Sequence, residues 1–278
     1  MLRLEAKAKI NLFLEITGRL PNGYHTISTV MHEIGLCDYV TLTQTDTGSI
    51  ILTSDCDTMP LDERNIAYKC AAAFFETARI EKGGINIHIE KNIPMEAGLA
   101  GGSTDGAAVL KGLNEIYNYP FTVEDLCSIG AKIGADIPFC ILGGSVLCEG
   151  IGEIMTPITK LPSCYILIAK GKEGVSTKWA YEQFDLMADR EIRYNPMVDL
   201  LKNGDINKIC KGMYNCFELL VPSVEEIKKV MNKNGALGSM MSGSGTAVFG
   251  IFDAEDKMQT AAKKLQDKNI SVFCCDNR

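Results

Sequence analysis

Apolar residues occupy every even position from Leu2 to Ile16: Leu2, Leu4, Ala6, Ala8, Ile10, Leu12, Leu14 and Ile16. A period of two predicts a strand with one buried face. The opposite face carries Arg3, Glu5, Lys7, Lys9, Asn11 and Glu15, and reads as a solvated strand face. Ile85, Ile87 and Ile89 repeat the alternation and predict a strand over 84–91. Further strands are expected near 38–44, 50–53, 145–148, 165–169, 246–252 and 270–275. Helical spacing predicts helices over 65–79, 103–117, 123–133, 195–202, 206–219, 224–232 and 254–268. Ser223-x-x-Glu226 after Pro222 has the form of a capping box opening the helix at Val224.

The first half is strand-rich with interspersed helices, and the second half wraps strands around several helices. That is an α+β pattern, not a regular βαβα alternation. A chain of 278 residues suggests two domains. Gly150, Gly152, Pro157 and Pro162 punctuate the chain and place the expected boundary between domains 1–155 and 156–278.

Composition narrows the partners. Hydrophobic residues make up 46% and charged residues 23%, which describes a globular chain and not a disordered one. With 28 Lys and Arg against 35 Asp and Glu, the net charge of −7 argues against nucleic-acid or anionic-membrane partners. It leaves anionic small molecules open, since a few local cations and backbone amides can hold those. The longest uncharged stretch, Asn234–Phe252, holds five glycines and three serines and reads as loop and strand, not a membrane span. The eleven cysteines form no C-x-x-C pair, and His25, His32 and His88 lack zinc-ligand spacing; reduced thiols in a cytoplasmic protein are expected. The opening Met1-Leu2-Arg3-Leu4-Glu5 has no signal-peptide core.

Candidate chemistry concentrates in four segments. Pro94-Met95-Glu96-Ala97-Gly98-Leu99-Ala100-Gly101-Gly102-Ser103-Thr104-Asp105-Gly106 joins a predicted strand to a predicted helix. Free amides, the helix dipole and close backbone approach at glycine suit such a loop to phosphate, although a tight strand-to-helix turn would have the same outline. Glu96 is expected to point away from an anion there. The loop is neither a Walker A motif nor G-x-G-x-x-G. Ser242-Gly243-Ser244-Gly245-Thr246 lacks the third glycine and the following helix of a dinucleotide site, and reads as a permissive loop packed near the first. Gly134-Ala135-Asp136-Ile137-Pro138-Phe139 offers Asp136 either as a backbone-bonding turn residue or as a carboxylate that takes a proton from a hydroxyl. Finally, Lys9 and Asn11 share one strand face, and a turn-rich loop places Tyr24 beside His25.

In order along the chain, these segments resemble the GHMP kinase superfamily, which includes galactokinase, homoserine kinase, mevalonate kinase and phosphomevalonate kinase. The resemblance rests on the N-terminal strand motif, the Pro94–Ser103 loop and Ser242–Thr246. Ala6-Lys7-Ala8-Lys9-Ile10-Asn11-Leu12 and Arg19-Leu20-Pro21-Asn22-Gly23-Tyr24-His25 are similar to a narrower branch acting on a cytidine-diphosphate-linked methylerythritol in non-mevalonate isoprenoid synthesis. The resemblance implies a two-domain fold, with a ribosomal-protein-S5-like first domain and an α/β sandwich second. It implies ATP-dependent phosphorylation of that substrate's 2-hydroxyl. Asp136 would be the catalytic base, with Lys9 as its partner. Pro94, Met95, Glu96, Ala97, Gly98, Leu99, Ala100, Gly101, Gly102, Ser103 and Thr104 would hold the triphosphate, Asn65 the adenine, and Ser103 a Mg²⁺ ion. Asn11 would contact the methylerythritol. Tyr24 and Tyr181 would sandwich the cytosine, with Trp179 as a competitor of Tyr181, and His25 would hydrogen-bond its edge. Thr104-Asp105-Gly106 departs from the family's more usual Ser-Asp/Asn-Ala. A mevalonate, homoserine or sugar kinase of the same superfamily is the alternative, and a monomer or homodimer is expected.

Overall fold

The computed structural model describes residues 1–80, 83–187 and 191–277. The elements run β1 (Leu2–Arg19), β2 (His25–Thr45), β3 (Ile50–Ser54), α1 (Ile66–Ala78), β4 (Gly84–Glu90), α2 (Gly101–Ile116), α3 (Val123–Ala131), α4 (Ile137–Leu142), β5 (Ser145–Glu149) and β6 (Ile154–Pro157). Then follow β7 (Tyr165–Lys170), α5 (Thr177–Asp185), α6 (Met197–Asn203), α7 (Ile206–Gly212), β8 (Tyr214–Asn215), a 3₁₀ turn (Cys216–Leu220), α8 (Val224–Lys233), β9 (Gly238–Met241), β10 (Val248–Phe252), α9 (Glu255–Gln266) and β11 (Ser271–Asp276).

The chain forms two compact units: residues 1–8, 37–95 and 100–143 make one, and residues 9–36, 96–99 and 144–278 the other. These units differ from a single cut at 155/156. The reason lies in β1 and β2, each long enough to give residues to both units.

In the first unit β4 pairs antiparallel with the C-terminal part of β2, Tyr39 opposite Glu90, and β3 pairs parallel with β4, Ile50 opposite Ile85. Ile85, Ile87 and Ile89 are fully buried, as their alternation requires. Burying each contributes about 1.5–3 kcal/mol relative to leaving it in water. Helix α1 approaches α2 closely at Gly106, where a Cβ would stand 2.8 Å from Cys70 Sγ. Asn65 caps α1 and a Thr122–Asp125 capping box opens α3.

The second unit contains the antiparallel sheet β11-β7-β10-β9. Val224, Ile227 and Met231 of α8 and Met258, Ala261 and Leu265 of α9 join Leu167, Ala169, Val248 and Phe252 in its core. In the same unit β5 pairs with the N-terminal part of β2 and β8 with Phe13 and Leu14 of β1.

Three expectations need correction. The solvated face of β1 ends at Lys7; from Ala8 to Ile16 both faces are covered, and Lys9, Asn11 and Glu15 are buried. The helix expected over 206–219 stops at Gly212, because Met213 turns extended and β8 and the 3₁₀ turn follow. Ser223 forms no cap at α8; its hydroxyl donates to Glu173 Oε2 at 2.9 Å instead.

Candidate active site

The loop from Glu96 to Ser103 is built to leave amides free. Its carbonyls are held: Ala97 O accepts from Ala247 N at 3.3 Å, Gly98 O from Ser242 Oγ at 3.0 Å, Leu99 O from Lys9 N at 3.1 Å and Ala100 O from Thr104 N at 2.9 Å. Among the described residues no acceptor meets the N–H groups of Ala97 through Ser103. Every second residue has positive φ, Glu96 at 51°, Gly98 at 73° and Ala100 at 60°, the backbone style of anion-binding nests. Two of those three carry side chains, a conformation that costs energy and clusters at binding sites. The last of these amides form the N-terminus of α2, where the helix dipole favours an anion.

The second glycine loop supports the first, as expected. Gly98 and Gly243 are in close backbone approach: a Cβ at Gly243 would stand 3.0 Å from Gly98 O, and one at Gly98 would collide with the Ser242 carbonyl. Asn215 Nδ2 in turn donates to Met241 O and Gly243 O, both at 2.8 Å, and pins that loop.

Lys9 lies against it, 3.3 Å from the position a Gly243 Cβ would take. Lys9 is only 3% exposed, and its ammonium donates to Asn11 Oδ1 at 2.7 Å. Asn11 Nδ2 donates to Thr29 Oγ1 at 2.9 Å, and Thr29 Oγ1 donates to Phe13 O at 2.6 Å. The direction of this relay is forced: Thr29 gives its only proton to a carbonyl, so it must accept from Asn11, which turns the Asn11 oxygen toward Lys9. Among the described residues no carboxylate pairs with the Lys9 ammonium. A buried cation with one neutral partner is costly without an anion.

Asp136 precedes α4 in the first unit. It is half-buried, and its carboxylate makes no capping bond and has no hydrogen-bond partner among the described residues. Of the two roles left open for it, the backbone-bonding one is not used. Helix α2 packs on α4, with Lys111 Nζ donating to Cys140 O at 3.3 Å. A Cβ at Gly134 would stand 3.9 Å from Ser103 Oγ, so Ser103 and the Asp136 turn lie on neighbouring segments.

Other expected residues stand differently. Thr104 gives its hydroxyl proton to Lys7 O at 2.8 Å and its N–H to Ala100 O, so it offers neither to an anion. Pro94 has no N–H, and Met95 directs its sulfur to Cys56 and Thr58 at 3.9 and 3.7 Å. Glu96 is exposed, its Oε2 3.3 Å from where a Gly174 Cβ would be. Asn65 accepts from Ala67 N and donates to Pro60 O, both at 2.8 Å, so its amide serves mainly as a cap.

Tyr181 stacks on His25 with centroids 4.9 Å apart and meets the Phe217 ring edge-on at 4.9 Å. Tyr24 is 62% exposed, and Trp179 is exposed on the same helix as Tyr181. His25 Nε2 lies 2.6 Å from Asp185 Oδ1, and Arg19 reaches Asp185 Oδ2 at 3.2 Å. Asp185 and Thr29 escaped the sequence reading; only the four-residue spacing of Tyr181 and Asp185 on α5 hinted at the first.

Beneath the loop, in the first unit, Lys91 pairs with Asp38 and with Asp105, the latter at 2.9 Å. Asp38 Oδ1 accepts from Asn92 N at 2.6 Å and Ile93 N at 2.7 Å. Burial pushes the Asp105 carboxyl up to about 7, against the pull of Lys91, and its Oδ1 is buried without a partner. This cluster carries no isolated sequence signal.

Comparison with known proteins places the chain. The GHMP kinases N terminal domain matches residues 65–144, and the GHMP kinases C terminal domain matches residues 197–271. A 4-diphosphocytidyl-2-C-methyl-D-erythritol kinase of Caldicellulosiruptor bescii is 42% identical over 95% of this chain and 94% of its own. The chain belongs to the GHMP kinase family. A Clostridium botulinum protein with the same name is 43% identical to this GHMP kinase, over 97% of this chain and 98% of its own. A crystal structure of 4-(cytidine 5'-diphospho)-2C-methyl-D-erythritol kinase superposes with a TM-score of 0.82 at 28% identity, covering 99% of this chain and 98% of that one. Homoserine kinase from Cytophaga hutchinsonii, at 20% identity and a TM-score of 0.74 over 99% of this chain and 93% of its own, shares the fold. The two-domain α+β architecture of a GHMP kinase is thereby established.

Proposed function

We propose that this GHMP kinase transfers the γ-phosphoryl group of ATP to the 2-hydroxyl of 4-diphosphocytidyl-2-C-methyl-D-erythritol. The identity of 41–43% with relatives of that name, over nearly the whole chain, supports the substrate. One observation carries the chemistry: from Ala97 to Ser103 consecutive amides have no acceptor among the described residues, while the carbonyls of Ala97 to Ala100 are held. Such a strip asks for an extended polyanion, and the triphosphate of ATP is one.

Phosphoryl transfer needs in-line placement and charge neutralisation more than covalent chemistry. The amides of the loop take the phosphate oxygens. Lys9 supplies a desolvated positive charge, held in direction by Asn11. The substrate oxygen forms its bond to the γ-phosphorus as the bond to ADP breaks, and its proton passes to the Asp136 carboxylate. Asn11 also contacts the methylerythritol, Tyr24 and Tyr181 flank the cytosine, and His25 reads its edge. Asn65 marks where the adenine lies. The described side chains include no group of three or more His, Cys, Asp or Glu that would hold a metal. Ser103, whose hydroxyl has no hydrogen-bond partner among the described residues, would hold a Mg²⁺ ion carried in with ATP. When bound, the ion would neutralise charge on the phosphates. A cytoplasmic location belongs to the same proposal; among the described residues no helix is long and apolar enough to cross a membrane.

Asp136→Asn keeps the shape and removes the base. Its kcat should fall by about 10²–10⁴-fold with both KM values within a few-fold of wild type. A kcat near wild type would remove Asp136 from the mechanism.

A further inference from the structure

We propose that Asp185 is a positioning residue that fixes the tautomer of His25 and thereby makes the site prefer cytosine over uracil. The inference rests on the cytidine reading of the Tyr24–His25 loop and adds a specificity determinant to it. Its basis is geometric. Asp185 Oδ1 lies 2.6 Å from His25 Nε2, and the two side chains are only 29% and 11% exposed. A carboxylate only accepts, so Nε2 carries the proton it receives. In the neutral ring the proton is then committed to Nε2 and Nδ1 presents a lone pair. Nδ1 has no partner among the described residues.

The surroundings hold this arrangement in place. Arg19 engages the other Asp185 oxygen at 3.2 Å and reaches Gly23 O at 3.4 Å, tying the carboxylate to the loop that carries His25. The loop closes on itself through Leu20 N to Tyr24 O at 2.8 Å and Gly23 N to Leu20 O at 2.9 Å. Tyr181, one turn before Asp185 on α5, stacks on the same imidazole. Residues four apart share a helix face, so one face of α5 supplies both the ring that stacks and the carboxylate that orients. Phe217, edge-on to Tyr181, fixes that face.

The readout follows from base chemistry. Cytosine offers an exocyclic amine, a donor that suits the Nδ1 lone pair. Uracil offers a carbonyl oxygen at the same place, an acceptor facing an acceptor. A site that presents a fixed buried polar group rejects the analogue that cannot pair with it. Without Asp185 the ring is free to move its proton to Nδ1, and the discrimination weakens.

The test has two arms. In the first, the full chain with ¹⁵N-labelled histidine is read by NMR where His25 is neutral, its signals assigned by their loss in H25Q. The expected result is protonated Nε2 and bare Nδ1. The opposite tautomer would overturn the proposal, with no variant needing to fold. In the second, Asp185→Ala is compared with wild type on the cytidine- and uridine-diphosphate-linked methylerythritols. KM for the cytidine compound should rise about tenfold, with kcat and the KM for ATP little changed, and the cytidine-to-uridine ratio of kcat/KM should fall about tenfold. An unchanged ratio in folded D185A overturns the proposal. A wild-type enzyme that does not turn over the cytidine compound refutes the functional reading instead, and the tautomer is then decided by the NMR arm.

Discussion

Lys9 is a buried cation on the strand face that alternation marks as solvated. Its alternation partners Arg3 and Glu5 are exposed, so the strand pattern placed it on a wet face, and that inference failed. What covers it is the Gly98 loop and the Gly243 loop, both far away in sequence. No local period reports a burial made by distant backbone. The same limit hid Thr29, whose place beside Asn11 depends on how β1 and β2 meet. The relay makes a sharp prediction. Thr29→Val keeps the volume but removes the acceptor for Asn11 Nδ2, which frees the Asn11 amide to turn its oxygen from Lys9. We expect kcat/KM to fall about tenfold, Thr29→Ser to restore most of it, and the melting temperatures to lie within a few degrees of one another. Equal losses in both variants would show that Thr29 acts only through packing.

At the scale of elements, the glycine loop was the most legible feature. Glycines after a strand and before a helix predict a turn of close backbone approach, which Gly98 makes, and the amides without an acceptor among the described residues support the proposed phosphate role. The anchors of its carbonyls were not legible, because Ser242, Ala247 and Lys9 come from three other places in the chain. Ser223-x-x-Glu226 shows the converse: the spacing is right, but the Ser223 hydroxyl finds Glu173 first. The 206–219 helix failed for a similar reason, since pairing of Tyr214 and Asn215 with β1 competes with helical continuation. Gly98 tests the loop as an element. Its φ of 73° and its contact with the Ser242 carbonyl exclude a side chain without movement. Gly98→Ala should cost about 2 kcal/mol or more of stability and raise the KM for ATP, read by denaturant unfolding and initial rates. Gly48→Ala, also at positive φ but with open space around it, should cost less and leave the KM for ATP unchanged. Equal KM effects in the two variants would contradict the loop's role.

Across the whole molecule, the α+β class and most elements followed from period and punctuation, whereas the two compact units did not. A boundary marked by glycine and proline is a single cut in sequence, whereas the two compact units are each discontinuous along the chain because β1 and β2 give residues to both. Stability should also show two opposing pH trends. His32 is buried with Nδ1 at 2.7 Å from Ser145 Oγ, and burial, with Lys160 adding to it, lowers its pKa from 6.5 to about 4. Its contribution is therefore complete above 6.5 and lost as the pH falls through 4. Asp105 runs the other way: raised from 3.8 to about 7 by burial, it contributes most below 3.8 and loses that contribution as the pH rises through 7. Relative to wild type, His32→Gln should therefore fare better at about pH 5 than at about pH 8, and Asp105→Asn better at about pH 8 than at about pH 5, in thermal melts. Parallel shifts in both variants would contradict these assignments.

The proposed kinase joins polyphosphate binding at the Gly98 loop to recognition of a cytidine diphosphate-linked alcohol. It is tested most directly by ADP release from Mg-ATP against a panel: 4-diphosphocytidyl-2-C-methyl-D-erythritol, methylerythritol phosphate without the cytidine, mevalonate, homoserine and galactose. Turnover is expected with the first compound alone. Turnover with mevalonate, homoserine or galactose, and none with the cytidine compound, would contradict it.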